Sequence, residues 1–259
     1  MKVTSTVKKI LSSYDSENYG VKTNLSRILM QGKLAGTGRL IILPVDQGFE
    51  HGPDRSFAVN TPAYDPLYHC QLAIDAGLSA YAAPLGMLQA GVESFYGQIP
   101  TILKINSSNT LAQSMDQAVT GSVDDAIKMG CSAIGFTIYP GSDHNFDLME
   151  EFRELSKEAK DKGLAVVLWA YARGKEISKQ GETAMNIISY AAHMSALLGA
   201  NIIKVKLPTD FIEDDPTKVA FEKKLIEIGS LKDRVAHIKK VAFAGERIVV
   251  FSGGDTKDD

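Results

Sequence analysis

The sequence predicts an α/β fold of the (β/α)8 TIM barrel type with an N-terminal helical extension. Three observations carry this. From Arg39 onward, short apolar runs end at Gly, Pro, Asp or Asn and each is followed by a longer amphipathic segment, the rhythm of βα units. The runs are near-continuously apolar, as strands of a parallel sheet covered on both faces must be. Polar side chains gather at the C-terminal ends of strand after strand, which is where a barrel assembles its chemistry.

The elements follow in order. Residues 1–38 read as the helical extension, because Val7, Ile10, Leu11 and then Leu25, Ile28, Leu29 recur at helical spacing, with an interruption near Tyr19-Gly20. Residues 39–259 read as the barrel. Strands are expected at Leu40–Val45, Ala80–Ala83, Thr101–Ile105, Ala133–Ile138, Ala165–Ala170, Ile202–Lys206 and Ile248–Phe251. Helices are expected around Pro66–Asp75, Val123–Met129, Asp147–Lys162, Thr183–Leu198 and Pro216–Ala242, several opening on Ser, Asp or Thr caps. Gly77, Gly130, Gly163 and Gly199 sit at helix-to-strand joints, where a left-handed residue ends a helix. An open dinucleotide-binding sheet would show G-x-G-x-x-G after its first strand; here Val45 is followed by Asp46-Gln47-Gly48-Phe49-Glu50-His51-Gly52-Pro53. Seven strands are identifiable where a closed barrel needs eight, so an eighth βα unit is expected to lie outside this chain.

Composition removes several classes of function. At 259 residues with 44% hydrophobic and 23% charged residues, the chain is neither disordered, collagenous nor a coiled coil. Its 28 basic and 31 acidic residues give a net charge of −3 with no basic stripe, so no nucleic acid is expected as a partner. The longest apolar stretch, Leu164 to Ala172, falls short of the roughly 20 residues of a membrane helix, and the start lacks an apolar signal core. The chain reads as soluble and cytoplasmic, with Cys70 and Cys131 as reduced core residues. His51, His69, His144, His193 and His237 form no H-x-H or H-E-x-x-H pair, so no metal site is expected.

The chemistry-bearing positions lie at strand ends. Ile202-Ile203-Lys204-Val205-Lys206 places two lysines on one face of a strand. Facing a desolvated interior, two adjacent cations favour a neutral, nucleophilic amine; at a rim they would only neutralise an acid or a phosphate. Trp169, Tyr171 and Arg173 alternate in the same way, either as a proton-transfer hydroxyl with its neighbours or as an aromatic lid beside a solvated Arg. Asp46 offers a carboxylate for acid/base work, for capping, or for pairing with a lysine. The Ser252-Gly253-Gly254 turn has the bare backbone of a phosphate cradle, though a tight turn needs the same glycines.

Taken together, these segments resemble the archaeal-type class I fructose-bisphosphate aldolases, a family also found in bacteria. The resemblance rests on Leu43 to Pro53, Trp169-Ala170-Tyr171-Ala172-Arg173-Gly174, Ile203-Lys204-Val205-Lys206 and Phe251-Ser252-Gly253-Gly254. It also takes in Ala82-Ala83-Pro84-Leu85-Gly86, Ile102 to Asn106 and Gly135 to Ser142, in order along essentially the whole chain. It implies a metal-independent lyase that needs no cofactor and cleaves fructose 1,6-bisphosphate through a lysine Schiff base, in glycolysis and gluconeogenesis. A homo-oligomer is expected on separate grounds, because the apolar face of the first 31 residues lies outside the barrel and needs a surface to cover it, the alternative being that it packs under its own barrel. Lys204 is then the Schiff-base residue, Tyr171 the proton donor and Asp46 an assisting carboxylate. Trp169, Arg173, Lys206, Lys104, Ser252, Gly253 and Gly254 are the expected substrate-binding residues. The family usually has Ser and Pro where Ala170 and Ala172 stand, and it continues past strand seven with a further βα unit. The alternatives are a Schiff-base aldolase or transaldolase for another phosphosugar, and an inactive piece that acts only in binding or assembly.

Overall fold

The computed structural model describes residues 2–91, 94–95 and 97–253. All seven expected strands are present, in the order β1 (Ile42–Pro44), β2 (Ala80–Pro84), β3 (Thr101–Lys104), β6 (Ala133–Ile138), β7 (Ala165–Ala170), β8 (Ile202–Val205), β9 (Ile248–Phe251). The order never reverses. A doubly wound open sheet reverses at its switch point, so this connectivity is that of a (β/α) barrel. Two further strands, β4 (Asn106–Ser107) and β5 (Ala118–Val119), form a separate antiparallel pair.

The chain divides into two compact units. The first comprises Met1–Phe136 and Phe152–Val166. It opens on α1 (Ser5–Ser12), capped by Thr4 through Val7 N, and α2 (Tyr19–Leu29), capped by Asn18 through Val21 N. The break therefore lies at residues 13–18, and Tyr19-Gly20 begin a helix where the sequence suggests an interruption. Gly20 is there for another reason: a Cβ on it would lie 2.7 Å from Gly163 Cα, so two backbones meet at that point. Asn24 Nδ2 donates to Gly163 O at 2.8 Å, and Lys160 pairs with Glu17 at 2.6 Å, fixing the same contact. Val7, Val21, Leu25, Ile28 and Leu29 are buried within this unit, so the apolar face of the extension needs no second copy to cover it.

After β1 come α3 (Gln47–Glu50), α4 (Pro53–Phe57) and α5 (Pro66–Asp75), the last capped by Asp65 with Pro66 at its first turn. α6 (Leu85–Gly91) follows β2, and α7 (Val123–Lys128) opens on a Ser122–Asp125 capping box. The strands pair in parallel, with Leu43 opposite Tyr81, Ala82 opposite Ile102 and Ile102 opposite Ala133.

The second unit comprises Thr137–Glu151 and Val167–Asp259; α8 (Asn145–Asp161) and strands β6 and β7 each contribute to both units. Leu168 lies opposite Ile203, Trp169 opposite Lys204, and Lys204 opposite Val250. α9 (Met185–Leu197) joins β7 to β8. The expected single helix over Pro216–Ala242 is two, α10 (Asp215–Lys223) and α11 (Leu231–Val241). Asp214 caps the first, Leu225 turns the chain with a φ of 51°, and Ser230 caps the second. The four joint glycines all have positive φ, between 67° at Gly77 and 85° at Gly199. Cys70 and Cys131 are buried free thiols, and burial pushes each up to about 11. No helix among the described residues is long and apolar enough to cross a membrane.

The Gly20–Gly163 contact yields a test of how the first unit is held together. Gly20→Ala should cost about 1–3 kcal/mol, the usual penalty for forcing extra volume into a packed contact. Urea denaturation would register it. A variant as stable as the wild type would mean that α2 can shift without loss.

Candidate active site

In the second unit the β7 end is a short extended run rather than a loop. Tyr171 N donates to Ile138 O at 3.1 Å and Arg173 N donates to Pro140 O at 2.9 Å, so the side-chain alternation of the strand continues past its last residue. Gly174 closes the run against Gly141, whose carbonyl oxygen would lie 1.9 Å from any Cβ placed there. Trp169 is buried, and Tyr171 and Arg173 are half-buried. The Arg173 guanidinium stands 5.0 Å from the centre of the Tyr139 ring.

Lys204 is brought to two of these residues. Its Nζ lies 5.5 Å from the centre of the Trp169 ring and 5.8 Å from that of Tyr171. The register that sets Trp169 opposite Lys204 brings the amine close to both a buried indole and a phenol. Such a position shields an amine from water while keeping a hydroxyl-bearing ring close.

Lys206 is not a second member of that group. It lies one residue past β8, and its Nζ donates to Glu182 Oε2 at 2.7 Å. Burial works against the Glu182 carboxylate, but hydrogen bonds from Lys206 and Lys179 outweigh it and hold the group below its ordinary value. Sequence reasoning missed Glu182, because one carboxylate in a loop that also carries Lys175, Glu176 and Lys179 has no telling spacing. Ser252 N donates to Val205 O at 2.9 Å, continuing the ladder from β9 to β8. Its N–H is thereby taken, and its hydroxyl donates to the same oxygen at 3.5 Å, which leaves the exposed Gly253 as the part of the described turn open to a ligand. Gly254 lies outside the described residues.

In the first unit Asp46 lies two residues past β1 and directly precedes α3, but its side chain does not cap that helix. Lys104, the last residue of β3, is only 2% exposed, so it is no rim cation. Its Nζ donates to Asn106 O, to Asn106 Oδ1 at 3.3 Å and to Gln117 Oε1 at 3.4 Å, tying β3 to the β4–β5 pair. Burial pushes the Lys104 ammonium down, while the negative charges of Asp46 and Glu50 pull it back up. Glu50, Asn106 and Gln117 were not legible as partners, since they come from a helix of four residues, from a strand of two, and from the residue just before another such strand. No group of three or more His, Cys, Asp or Glu side chains able to hold a metal occurs among the described residues.

Comparison with known proteins places this geometry in context. A family model described as DeoC/LacD family aldolase matches residues 40–259. A probable fructose-bisphosphate aldolase class 1 of Chlamydia muridarum is 36% identical over 208 residues, 78% of this chain and 59% of that protein. The fructose-bisphosphate aldolase class 1 of Halobacterium salinarum is 34% identical over 223 residues, 86% of this chain and 75% of that protein. A solved structure of a Schiff base forming fructose-1,6-bisphosphate aldolase superposes with a TM-score of 0.64 at 29% identity, covering 87% of this chain and 90% of that one. The chain thus spans about three fifths of the length of the first curated relatives it matches.

The buried Lys104 has a measurable signature. Its folded-state value lies below the ordinary 10.5, so the native chain sheds that proton before the unfolded chain does. Within that window the unfolded state binds more protons, and stability rises with pH. Relative to Lys104→Met, the wild type should gain stability as pH climbs from neutrality towards 10.5, as read by urea denaturation at several pH values. A difference between the two that is independent of pH would mean that the neighbouring carboxylates fully offset burial.

Proposed function

The chain belongs to the DeoC/LacD aldolase family, and from that membership we propose that it is a class I aldolase that reversibly cleaves fructose 1,6-bisphosphate to dihydroxyacetone phosphate and glyceraldehyde 3-phosphate. The observation that carries the reading is Lys204 Nζ set 5.5 Å and 5.8 Å from the Trp169 and Tyr171 rings, at the C-terminal end of a buried parallel strand. The matched relatives named as class 1 fructose-bisphosphate aldolases support it.

The chemistry runs as follows. Neutral Lys204 attacks the C2 carbonyl of the open-chain ketose, and the carbinolamine loses water to give a protonated imine. That cation withdraws the electron pair of the C3–C4 bond as the bond breaks. The proton of the C4 hydroxyl passes to a base and the aldehyde departs. The remaining enamine takes a proton at C3, and water then releases dihydroxyacetone phosphate and restores the amine. Tyr171 is assigned the proton transfer at C3, being the hydroxyl-bearing ring beside the amine, and Asp46 the assistance to dehydration. Trp169 forms a wall of the substrate site. Lys206, Arg173 and the Ser252-Gly253-Gly254 turn are assigned to the phosphates. Lys104, buried as it is, acts in this reading by holding the β4–β5 pair in place.

A cytoplasmic, glycolytic or gluconeogenic role and a homo-oligomeric state belong to the same reading. Exposed Tyr190 and Leu197 on α9 are apolar surface that a second copy would cover.

Borohydride reduction with dihydroxyacetone phosphate, followed by peptide mass spectrometry, should find the adduct on Lys204. An adduct on Lys206 alone would reassign the nucleophile, and none at all would remove the mechanism. Lys204→Met should abolish cleavage of fructose 1,6-bisphosphate. Tyr171→Phe should keep the adduct but lower kcat by about 10²–10⁴-fold, the usual worth of a positioned proton donor.

A further inference from the structure

We propose that Glu182 is a displaceable counter-ion seated on Lys206, standing where a substrate phosphate comes to rest. The inference rests on the sugar-phosphate reading above and adds to it a residue that sets phosphate affinity.

Three groups able to hold a phosphate, the Lys206 ammonium, the Ser252 hydroxyl and the Gly253 backbone, follow directly on the paired ends of β8 and β9. Lys206 follows Val205 directly, Val205 O accepts the Ser252 N–H at 2.9 Å, and the Ser252 hydroxyl lies 3.5 Å from the same oxygen. Gly253 is exposed, with open space where a Cβ would be. At this cationic corner the position on Lys206 is already held by a carboxylate, Glu182 Oε2, at 2.7 Å. The pair is partly desolvated, with side-chain exposures of 27% for Lys206 and 14% for Glu182. A dianionic phosphate arriving at Lys206 therefore competes with an internal anion.

The backbone under Glu182 makes that exchange local. Thr183 O accepts from Thr209 N at 2.8 Å, Met185 N donates to Phe211 O at 2.7 Å, and Glu213 Oε1 and Oε2 accept from Ser178 N and Oγ at 2.8 and 2.9 Å. Gly181 packs on the Glu213 carboxylate so closely that a Cβ would lie 2.5 Å from it. The loop after β7 is thus pinned to the loop after β8 on both sides of Glu182. What can move is the side chain. A partner awaits it: Lys179, 90% exposed, already donates to Glu182 at 3.1 Å and keeps the carboxylate paired when Lys206 turns to a phosphate.

The test uses inorganic phosphate as the probe, titrated by 31P NMR, so that it needs no turnover. Glu182→Gln should tighten phosphate binding by about 3–10-fold, and the KM for fructose 1,6-bisphosphate should fall to match while kcat stays within about twofold. A merely structural role would lower the melting temperature without tightening phosphate. In a Lys206→Gln background, which should itself weaken phosphate binding several-fold, Glu182→Gln should have no effect. Should Glu182→Gln fail to fold, Glu182→Asp withdraws the carboxylate by one methylene and should shift affinity in the same direction by a smaller factor. Unchanged or weaker phosphate binding in the Glu182 variant that folds, or a Lys206→Gln chain that binds phosphate as well as the wild type, would overturn the proposal. If the wild type forms the borohydride adduct on Lys204 and these affinities do not move, only this inference fails. If no adduct forms, the aldolase reading fails independently.

Discussion

The site in the second unit depends on one backbone register, the pairing that sets Trp169 opposite Lys204. In a strand with one apolar and one polar face, a slip by one residue would bury the wrong face, and that cost fixes the pairing. β7 has no such guard, because Ala165 to Ala170 are apolar and buried at every position. The register is held from its ends instead. Gly163 and Gly199, with φ of 83° and 85°, stop the preceding helices two or three residues before β7 and β8. At the other end the ladder runs on through Tyr171 N to Ile138 O and Ser252 N to Val205 O, beyond the last strand residues. The same hydrogen bonds that lock the register carry the functional side chains, so stability and positioning are one property here.

That arrangement explains what the sequence could and could not reveal. The strands were legible because buried parallel strands are unbroken apolar runs, and the joints because glycine alone tolerates the left-handed turn there at no steric cost. The alternation Trp169, Tyr171, Arg173 was legible because extended backbone has a period of two. Lys204 and Lys206 show where that rule ends. Both satisfy the spacing, but β8 stops at Val205, and beyond it Lys206 answers to the loop that carries Glu182. Contacts between residues distant in sequence leave no local pattern. Gly20 against Gly163 reads as a helix interruption, although in the structure it is a close approach of two backbones. The break between α10 and α11 was hidden because polar residues on both sides continue the helical composition, and only Gly229-Ser230 marks the new start.

The three lysines at strand ends differ in what surrounds each one. A lysine becomes reactive only when it gives up its proton, so whatever stabilises the ammonium opposes the chemistry. Lys206 has a carboxylate at 2.7 Å, a partly buried and charge-assisted ion pair. Lys104 spends its protons on hydrogen bonds to Asn106 and Gln117 inside the protein, where no substrate carbonyl reaches its 2% of exposed surface. Lys204 stands 5.5 Å and 5.8 Å from the centres of the Trp169 and Tyr171 rings, a cation–π arrangement worth about 0.5–1 kcal/mol at ordinary sites. It is also half-buried rather than sealed, so a ketone can approach.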